Sequence, residues 1–153
     1  MSDLKWYEDD TFWLSDIITG NKARINGSEA MTRNLVSLLQ PAPGASILDL
    51  CCGFGIYSVE LARLGFNVTG VDITAPYLEL ARKSAGQHNV SVEFIKDDMR
   101  EFCRPASFDF IINMFTSFGY FETREDDYTV VRKSFASLRQ KGKLLINLYP
   151  KEL

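Results

Sequence analysis

The chain is poor in the residues that build disulfide frameworks and metal centres. It has three cysteines and one histidine among its 153 residues. Cys51 and Cys52 are adjacent, no C-x-x-C spacing occurs, and His88 has neither a cysteine nor a second histidine near it. A disulfide-stapled domain and a zinc site both need more of these residues. We therefore expect no metal, free thiols, and a reducing cytoplasmic location.

Long apolar runs and dense basic runs are missing as well. No segment approaches the roughly 20 apolar residues that cross a bilayer, and residues 1–5 do not resemble a signal peptide. The 17 basic and 20 acidic residues give a net charge of −3 and form no basic cluster. We expect neither a membrane nor a nucleic acid as a partner, because polyphosphate binding requires clustered positive charge.

The rest of the composition is that of one globular domain, with 46% hydrophobic and 24% charged residues. Residues 1–40 begin with aromatic and acidic side chains and continue into a predicted helix from Ser28, its N-cap, to about Gln40. We interpret 1–40 as an N-terminal helical cap or lid region. The remainder, 41–153, begins at Pro41-Ala42-Pro43-Gly44, which ends that helix.

From residue 46 onward, short apolar strands alternate with helices. This pattern predicts an α/β fold with a doubly wound, mostly parallel sheet covered by helices on both faces. The last helix is predicted from apolar residues at helical spacing, Tyr128, Val131, Phe135 and Leu138. The predicted strands are 46–51, 67–72, 91–96, 108–113 and 143–148, and the predicted helices are near 56–64, 75–87 and 124–139.

A glycine turn between the first strand and its helix is the most informative feature. The apolar strand Ile47–Leu50 runs into Cys51-Cys52-Gly53-Phe54-Gly55, and the next strand ends in Asp72. Glycines let a backbone approach a ligand closely, and a carboxylate at the next strand tip can accept from ribose hydroxyls. A nucleoside-containing cofactor is the resulting hypothesis. Ser58 stands where the pyridine-nucleotide fingerprint has its third glycine, so a NAD-linked oxidoreductase is the weaker alternative.

The segment Asp49–Gly55 resembles motif I of the class I methyltransferases that use S-adenosylmethionine (AdoMet). The resemblance extends over about 45–148 and implies a Rossmann-like fold, AdoMet as cofactor and S-adenosylhomocysteine as its product. It is carried further by Val71-Asp72-Ile73, Lys96-Asp97-Asp98-Met99, Phe108–Asn113 with the following 114–121, and Ser137–Leu144.

The resemblance also implies roles for individual residues. Gly53 and Gly55 would lie against the methionine part of AdoMet, Asp72 would bind the ribose, and Asp98 would accept from the adenine amino group. Asp49, directly or through water, and Asn113 would face the ammonium group. The full set of cofactor-binding candidates is Asp49, Cys51, Gly53, Gly55, Asp72, Ile73, Asp98, Met99 and Asn113.

Each role has a purely structural alternative. Asp49 and Asp72 can serve as turn or capping residues, and Asp97 competes with Asp98 for the adenine. Without the resemblance, Ile73 and Met99 would be read as core residues. Cys51 and Cys52 would be read as small buried apolar side chains.

The acceptor side is less defined. Phe115 and Tyr120 follow the fourth strand and are substrate candidates, while Tyr7 and Trp13 are lid candidates. No general base is identified. Many methyltransferases of amide or nucleobase nitrogens carry Asn/Asp-Pro-Pro-aromatic at this place, whereas this chain has Asn113-Met114-Phe115-Thr116. The sequence thus favours a small-molecule acceptor, and a non-catalytic module that only binds AdoMet or S-adenosylhomocysteine is the alternative.

The family's sheet usually continues past strand five with an antiparallel strand pair that this sequence lacks. We therefore interpret the chain as a truncated product or a fragment of a longer protein, rather than a natural minimal form. Strand five would then be an open edge, and open edges pair with other chains. Self-association through this edge is the corresponding expectation.

Overall fold

The computed structural model describes residue 9, residues 27–115 and residues 117–148. Its helices are α1 (27–39), α2 (Ile56–Arg63), α3 (Ala75–Gln87) and α4 (Arg124–Ser137). Its strands are β1 (Ser46–Leu50), β2 (Asn67–Asp72), β3 (Glu93–Lys96), β4 (Phe108–Asn113) and β5 (Leu138–Ile146). The predictions for β2, α3 and β4 are confirmed residue for residue. We predicted that β5 begins at residue 143, five residues after its observed start at Leu138. The difference arises because α4 passes into the strand without an intervening turn.

The five strands form one sheet in the order β3-β2-β1-β4-β5, and every neighbouring pair is parallel. This confirms the doubly wound, Rossmann-like architecture. The strand order reverses between β1 and β4, and ligands of such sheets bind outside the carboxyl ends of the strands at that point. The ends of β1, β2 and β4 are therefore the place for a site.

Hydrophobic clusters on both faces of the sheet hold the helices in place. One cluster joins Ile47, Val68 and Phe110 of the strands to residues of α1 and α2, including Leu35 and Tyr57. A second cluster, which includes Val130 of α4, lies against Leu48, Val71 and Ile111. The strands alternate between the two clusters, which explains why their sequences are continuously apolar.

The apolar residues at helical spacing in α4 do not face the core, apart from Leu138, which packs against the second cluster. Tyr128, Val131 and Phe135 are 57%, 39% and 78% exposed, whereas Val130, Ser134 and Ser137 are buried. Polar contacts set this orientation, since Ser137 Oγ accepts a hydrogen bond of 3.0 Å from Arg104 N and the Ser137 carbonyl accepts one of 2.9 Å from Ser107 N. The crossover from β3 to β4 thus docks on the serine face of α4.

The predicted start of α1 also differs from the structure. Gly27 is already helical, so Ser28 lies inside the helix and is not its N-cap. Leu35 and Leu39 face the core, while Leu38 is 70% exposed. The other residues of the proposed 1–40 cap region, apart from residue 9, lie outside the described part of the chain, so the cap stays a prediction.

Two glycines near the carboxyl ends of the strands are required by internal packing. A Cβ on Gly70 of β2 would lie 2.8 Å from Phe94 Cδ1 and 3.0 Å from Cys52 Sγ. A Cβ on Gly55 would lie 2.8 Å from Ala81 Cβ and 3.0 Å from Phe94 Cζ. The Phe94 ring therefore occupies the space that these glycines leave, and it supports the glycine turn from below.

We expect Gly70→Ala to lower the free energy of unfolding by about 1–3 kcal/mol, because the added methyl overpacks the Phe94 ring. Gly86→Ala on α3 is the matched control. A Cβ there meets nothing within 4 Å, so the change should raise stability by roughly 0.5 kcal/mol through helix propensity. Urea unfolding of both variants measures the difference. Equal stabilities would contradict the packing role of Gly70.

Candidate cofactor site

The glycine turn after β1 has an unusual backbone that its sequence permits. Cys51, Gly53 and Gly55 have φ angles of +63°, +54° and +77°, in the left-handed region that glycine adopts without a Cβ penalty. Hydrogen bonds fix the turn to β2. Cys52 N donates to the Val71 carbonyl at 3.0 Å and Gly55 N donates to the Cys52 carbonyl at 2.9 Å.

Asp72 ties this turn to the end of β2. Its Oδ2 accepts from Gly53 N at 2.8 Å, and its Oδ1 accepts from Thr74 N at 2.9 Å. Burial raises the pKa of Asp72, and the N–H groups of Thr74 and Gly53 oppose part of that rise. The side chain thus holds the turn, as the structural alternative predicted. The Thr74 side chain and the Ile73 N–H also donate to this carboxylate, so a ligand's donors would share it with the groups that hold the turn.

Asp49 forms a buried pair with Ser58 beneath the turn. Asp49 is 2% exposed and Ser58 is 0% exposed, and the Ser58 hydroxyl donates to Asp49 Oδ2 at 2.6 Å. The Ser58 backbone N–H also donates to this carboxylate. Since Gly55, the N-cap of α2, has no side chain to cap the helix, Asp49 performs that task from β1.

Burial raises the pKa of Asp49 to about 7, although the hydrogen bond from Ser58 opposes the rise and the nearby charge of Asp72 adds to it. The carboxyl group is therefore partly protonated near neutral pH. It lies behind the turn, so its expected contact with an ammonium group stays a prediction.

Asn113 at the end of β4 presents a buried acceptor that has no partner. Its side-chain Nδ2 donates to the Leu50 carbonyl at 2.9 Å, which fixes the amide beside the start of the glycine turn. Among the described residues, its Oδ1 is buried without a hydrogen-bond partner. An unsatisfied buried carbonyl costs about 1–3 kcal/mol, so this atom is a candidate acceptor for a ligand's donor.

The two glycines of the turn differ in what surrounds them. A Cβ on Gly53 would have only Tyr77 Cδ2 near it, at 3.8 Å, so the space outside Gly53 is open to a ligand. Gly55 instead faces the packed interior described above. Of the two glycine roles implied by the resemblance, the geometry supports a ligand contact for Gly53 and a packing requirement for Gly55.

Asp98 is already engaged by Arg100. The guanidinium donates from Nη2 to Asp98 Oδ2 at 2.6 Å and from Nε to Oδ1 at 3.1 Å. Burial raises the pKa of Asp98, but the hydrogen bonds from Arg100 outweigh it and hold the pKa below its usual range. Arg100 also lies 4.6 Å from the centre of the Phe121 ring and 3.8 Å from Asp126. A contact of Asp98 with adenine requires Arg100 to release part of this arrangement.

The apolar candidates lie just after the ends of β2 and β3. Met99 is partly buried against the cluster under α4, and its Sδ lies 3.3 Å from Cys51 Sγ. Ile73 directly follows Asp72 at the tip of β2 and is partly buried. Burial raises the pKa of the Cys51 thiol well above its usual range, so Cys51 acts as a small neutral side chain here.

The acceptor-side candidates are only partly within the described residues. Phe115 has a φ of +57°, rare for a large side chain, and its ring centroid lies 5.4 Å from that of Tyr57 on α2. Such backbone strain is concentrated at functional sites. Tyr120 is 42% exposed on the same loop. Tyr7 and Trp13 lie outside the described residues, so their lid role stays a prediction.

Three contributors were missed in the sequence. Ser58 was used only to argue against a pyridine nucleotide, yet it is the partner of Asp49. Arg100 and Tyr57 carried no motif. A helix whose N-cap is glycine needs a hydrogen-bond acceptor from another segment of the chain. That requirement was the signal in the sequence for the Asp49–Ser58 pair.

Within the described ranges, no three His, Cys, Asp or Glu side chains are grouped as metal ligands. Among the helices of those ranges, none has the length and apolar character needed to cross a membrane.

Comparison with known proteins agrees with this geometry. The sequence model of the family described as "Methyltransferase domain" matches residues 47–142, which contain the glycine turn and all candidates from Asp49 to Asn113. This chain belongs to the methyltransferase domain family. The resemblance seen in the sequence is thereby confirmed.

Individual relatives within the methyltransferase family differ in what they act on. GWCH70_2453 of Geobacillus sp. (strain WCH70), a methyltransferase by name, is 27% identical over 143 residues, 94% of this chain and 57% of its own. A ubiquinone biosynthesis O-methyltransferase of Actinobacillus pleuropneumoniae serotype 5b is 32% identical over 68% of this chain and 45% of its own. The 23S rRNA (uracil(1939)-C(5))-methyltransferase RlmD of Acidithiobacillus ferrooxidans is 39% identical over 42% of this chain and 14% of its own.

The chain spans about half the length of the curated relatives it matches. Among solved structures, an S-adenosylmethionine-dependent methyltransferase from Clostridium acetobutylicum superimposes with a TM-score of 0.73 at 17% identity, covering 89% of this chain and 56% of the other. This similarity supports the Rossmann-like methyltransferase fold.

The Asp49 carboxyl predicts a pH dependence of stability. Its folded pKa of about 7 lies above its ordinary value of 3.8, so the native state binds the proton more tightly. The stability from this group is fully present below about pH 4 and is lost as the pH rises through about 7, by a total of roughly 4 kcal/mol.

We expect Asp49→Asn to abolish this loss while keeping an acceptor for Ser58. Relative to the parent chain, the variant should gain about 2–3 kcal/mol of unfolding free energy between about pH 5 and pH 8. Urea unfolding at the two pH values measures it, with Glu79→Gln on the exposed face of α3 as control. A parallel pH profile for parent and Asp49→Asn would refute the assignment.

Proposed function

We propose that this chain binds AdoMet at the carboxyl ends of β1, β2 and β4 and transfers its methyl group to a small organic acceptor. The observation that carries the proposal is the buried, unpartnered Asn113 Oδ1 beside the glycine turn. The ammonium group of AdoMet is the kind of donor that such an acceptor lacks. The family and the open space outside Gly53 support the same ligand.

The residues present fit this cofactor. Asp72 is the acceptor proposed for the ribose hydroxyls, which share it with the N–H groups that hold the turn, while its existing bonds hold Gly53 in place. Gly53 leaves room for the methionine part, and Ile73 and Met99 flank the adenine. Asp98 accepts from the adenine amino group when Arg100 yields one of its bonds. Because burial raises the pKa of its thiol, Cys51 stays neutral and forms part of the wall of the site.

The bound cofactor supplies an electrophilic methyl group on a sulfonium, so the chain needs no metal and no covalent intermediate. The residues of this chain align the acceptor and exclude water. Phe115 and Tyr120 offer ring faces that favour a positive charge nearby. Tyr7 and Trp13 would close the site as a lid. No side chain is assigned as a general base.

A small acceptor is the better choice for two reasons. The segment after β4 lacks the proline pair found with many nucleobase and amide acceptors, and the chain has no basic cluster for a polynucleotide. The name of the ubiquinone biosynthesis relative points to a small molecule, whereas that of RlmD points to rRNA. A cytoplasmic location fits the free thiols and belongs to the same proposal.

Calorimetric titration with S-adenosylhomocysteine, with NAD as the control ligand, tests the cofactor. We expect micromolar binding of S-adenosylhomocysteine, on the order of −8 kcal/mol, and none of NAD. Binding of NAD alone would instead support the alternative, a NAD-linked oxidoreductase. No binding of either ligand to the folded chain would reject the site.

A matched pair of glycine variants locates the cofactor within the site. Gly53→Ala should weaken S-adenosylhomocysteine at least tenfold, because its Cβ enters the open space that the ligand fills. Gly44→Ala is the control, because it introduces the same backbone strain at a site away from the turn. Gly44 has a φ of +71° and no neighbour within 4 Å of a Cβ. This variant should bind S-adenosylhomocysteine with unchanged affinity. Equal affinities in both variants would remove Gly53 from the ligand contacts.

Turnover separates an enzyme from a module that only binds the cofactor. Methyl-labelled AdoMet is incubated with the chain and a panel of phenolic, amine and carboxylate acceptors, and with 23S rRNA as the polynucleotide alternative. Label in a small acceptor supports the proposal. Label in rRNA alone contradicts the acceptor class, and tight cofactor binding without any turnover favours the binding module.

A further inference from the structure

Arg100 joins the candidate adenine acid, Asp98, to two elements on the acceptor side. Its guanidinium carbon lies 4.6 Å from the centre of the Phe121 ring, on the loop after β4. Its Nη1 lies 3.8 Å from Oδ1 of Asp126, in the first turn of α4. Asp98, Phe121 and Asp126 belong to three separate segments of the chain, so all three segments meet at this one guanidinium.

Two carboxylates flank the guanidinium at unequal distances. Nη2 donates to Asp98 Oδ2 at 2.6 Å, which is a short charge-assisted hydrogen bond. The 3.8 Å from Nη1 to Asp126 Oδ1 is longer than a hydrogen bond, so this second contact is an ion pair only. A shift of about 1 Å would bring Nη1 within hydrogen-bond distance of Asp126. Asp98 therefore holds Arg100 in this structure, and Asp126 is the second acid within reach.

The Phe121 ring offers a surface that both positions of the guanidinium can share. Because a guanidinium is planar, its face can lie on an aromatic ring while the N–H groups at its edge reach an acid. Phe121 packs against the second hydrophobic cluster, as do Phe118 of the same loop and Met99 of the candidate adenine site. The loop and the adenine site thus share a packing surface as well as a charge.

Asp126 is fixed where the loop after β4 ends and α4 begins. Thr123, the N-cap of α4, accepts a hydrogen bond of 3.2 Å from Asp126 N. The Thr123 hydroxyl donates to Asp126 Oδ2 at 2.7 Å, whereas it is Oδ1 that faces Arg100. A hydrogen bond from Arg100 to Oδ1 would therefore stabilise the end of the loop and the first turn of the helix together.

The proposed contact of adenine with Asp98 changes the balance between the two acids. The adenine amino group is a donor, so it competes with the N–H groups of Arg100 for the same two carboxylate oxygens. The Arg100 side chain is only 24% exposed, and a partly buried cation that loses one anion is stabilised by another nearby. Asp126 supplies that anion.

We propose that Arg100 is a positioning residue, which passes from Asp98 toward Asp126 when adenine binds and thereby orders the loop after β4. This inference rests on the proposed function, because it needs a cofactor with an adenine base at the site. The loop that carries the acceptor candidate Tyr120 is then held more tightly when the methyl donor is present. Such coupling is reciprocal, so a change at Asp126 alters the affinity for the cofactor.

Asp98→Asn tests the exchange of partners without any ligand. A neutral amide holds a guanidinium more weakly than a carboxylate does. Arg100 should therefore move to Asp126, and amide hydrogen exchange over 117–127 should slow by roughly threefold or more. Asp97→Asn removes a charge from the neighbouring position and keeps an acceptor for Asp98 N, so it is the matched control and should leave this exchange unchanged. Unchanged or faster exchange in Asp98→Asn overturns the proposal, since a fixed brace between Arg100 and Asp98 would loosen.

A double variant identifies the side chain that moves. In Arg100→Gln combined with Asp98→Asn, the slower exchange should disappear, because no guanidinium remains to reach Asp126. The reference for this variant is Arg100→Gln alone, so that the effect of the Asp98 change is compared in two backgrounds. Slowing of equal size in both backgrounds would overturn the role of Arg100.

Calorimetric titration with S-adenosylhomocysteine tests the link to the cofactor. Asp126→Asn removes the charge that receives Arg100 but keeps an acceptor for Thr123, so the dissociation constant should rise by roughly fivefold. Glu125→Gln removes a charge from the same helix turn, where Glu125 pairs with Arg132, and should bind as the parent chain does. Equal affinities of the two variants reject the coupling alone. Absence of binding to the folded parent chain rejects the proposed function, and this inference with it.

Discussion

The hydrogen bond from Gly53 N to Asp72 Oδ2, 2.8 Å long, is the contact on which the candidate site depends. It joins the turn after β1 to the tip of β2, and the left-handed angles of Cys51, Gly53 and Gly55 follow from that short span. It fixes Gly53, and with it the wall of the open space outside Gly53, relative to the tip of β2. The same carboxylate is the proposed ribose ligand, so a structural role for Asp72 does not exclude a functional one.

Beneath the turn, Asp49 and Ser58 form the helix cap that Gly55 cannot provide. Gly55 admits the close approach of α3 and Phe94, but it leaves the N-terminus of α2 without a side-chain cap. An acid buried in β1 supplies the missing acceptor, and burial raises its pKa to about 7. A charge at this position would be repelled by Asp72 and favoured by the helix N-terminus. The raised pKa shows that desolvation and repulsion outweigh the attraction.

Local patterns predicted the parts of the fold that local forces determine. The strands β2 and β4 are apolar runs bounded by polar residues, and α3 begins with a proline near its N-terminus, so their limits were readable. The motif at Asp49–Gly55 placed the candidate site because backbone geometry there demands glycine.

Contacts between distant segments could not be predicted from the sequence. The pairing of Arg100 with Asp98 and Phe121 depends on side-chain directions that no periodicity encodes. The serine face of α4 turns inward because the crossover from β3 docks on it, which reverses the orientation that hydrophobicity predicts.

The candidate residues for the cofactor and those for the acceptor lie on different parts of the fold. The cofactor candidates lie at or just after the carboxyl ends of parallel strands, whose positions the sheet fixes. The acceptor candidates lie on the loop after β4, where Phe115 adopts a strained backbone and Tyr120 is exposed. The similarity to RlmD covers 42% of this chain, and that to the ubiquinone biosynthesis enzyme covers 68%. The match to the methyltransferase domain family therefore bears on the cofactor, whereas the names of these relatives give different acceptors and leave the acceptor of this chain to the labelling experiment.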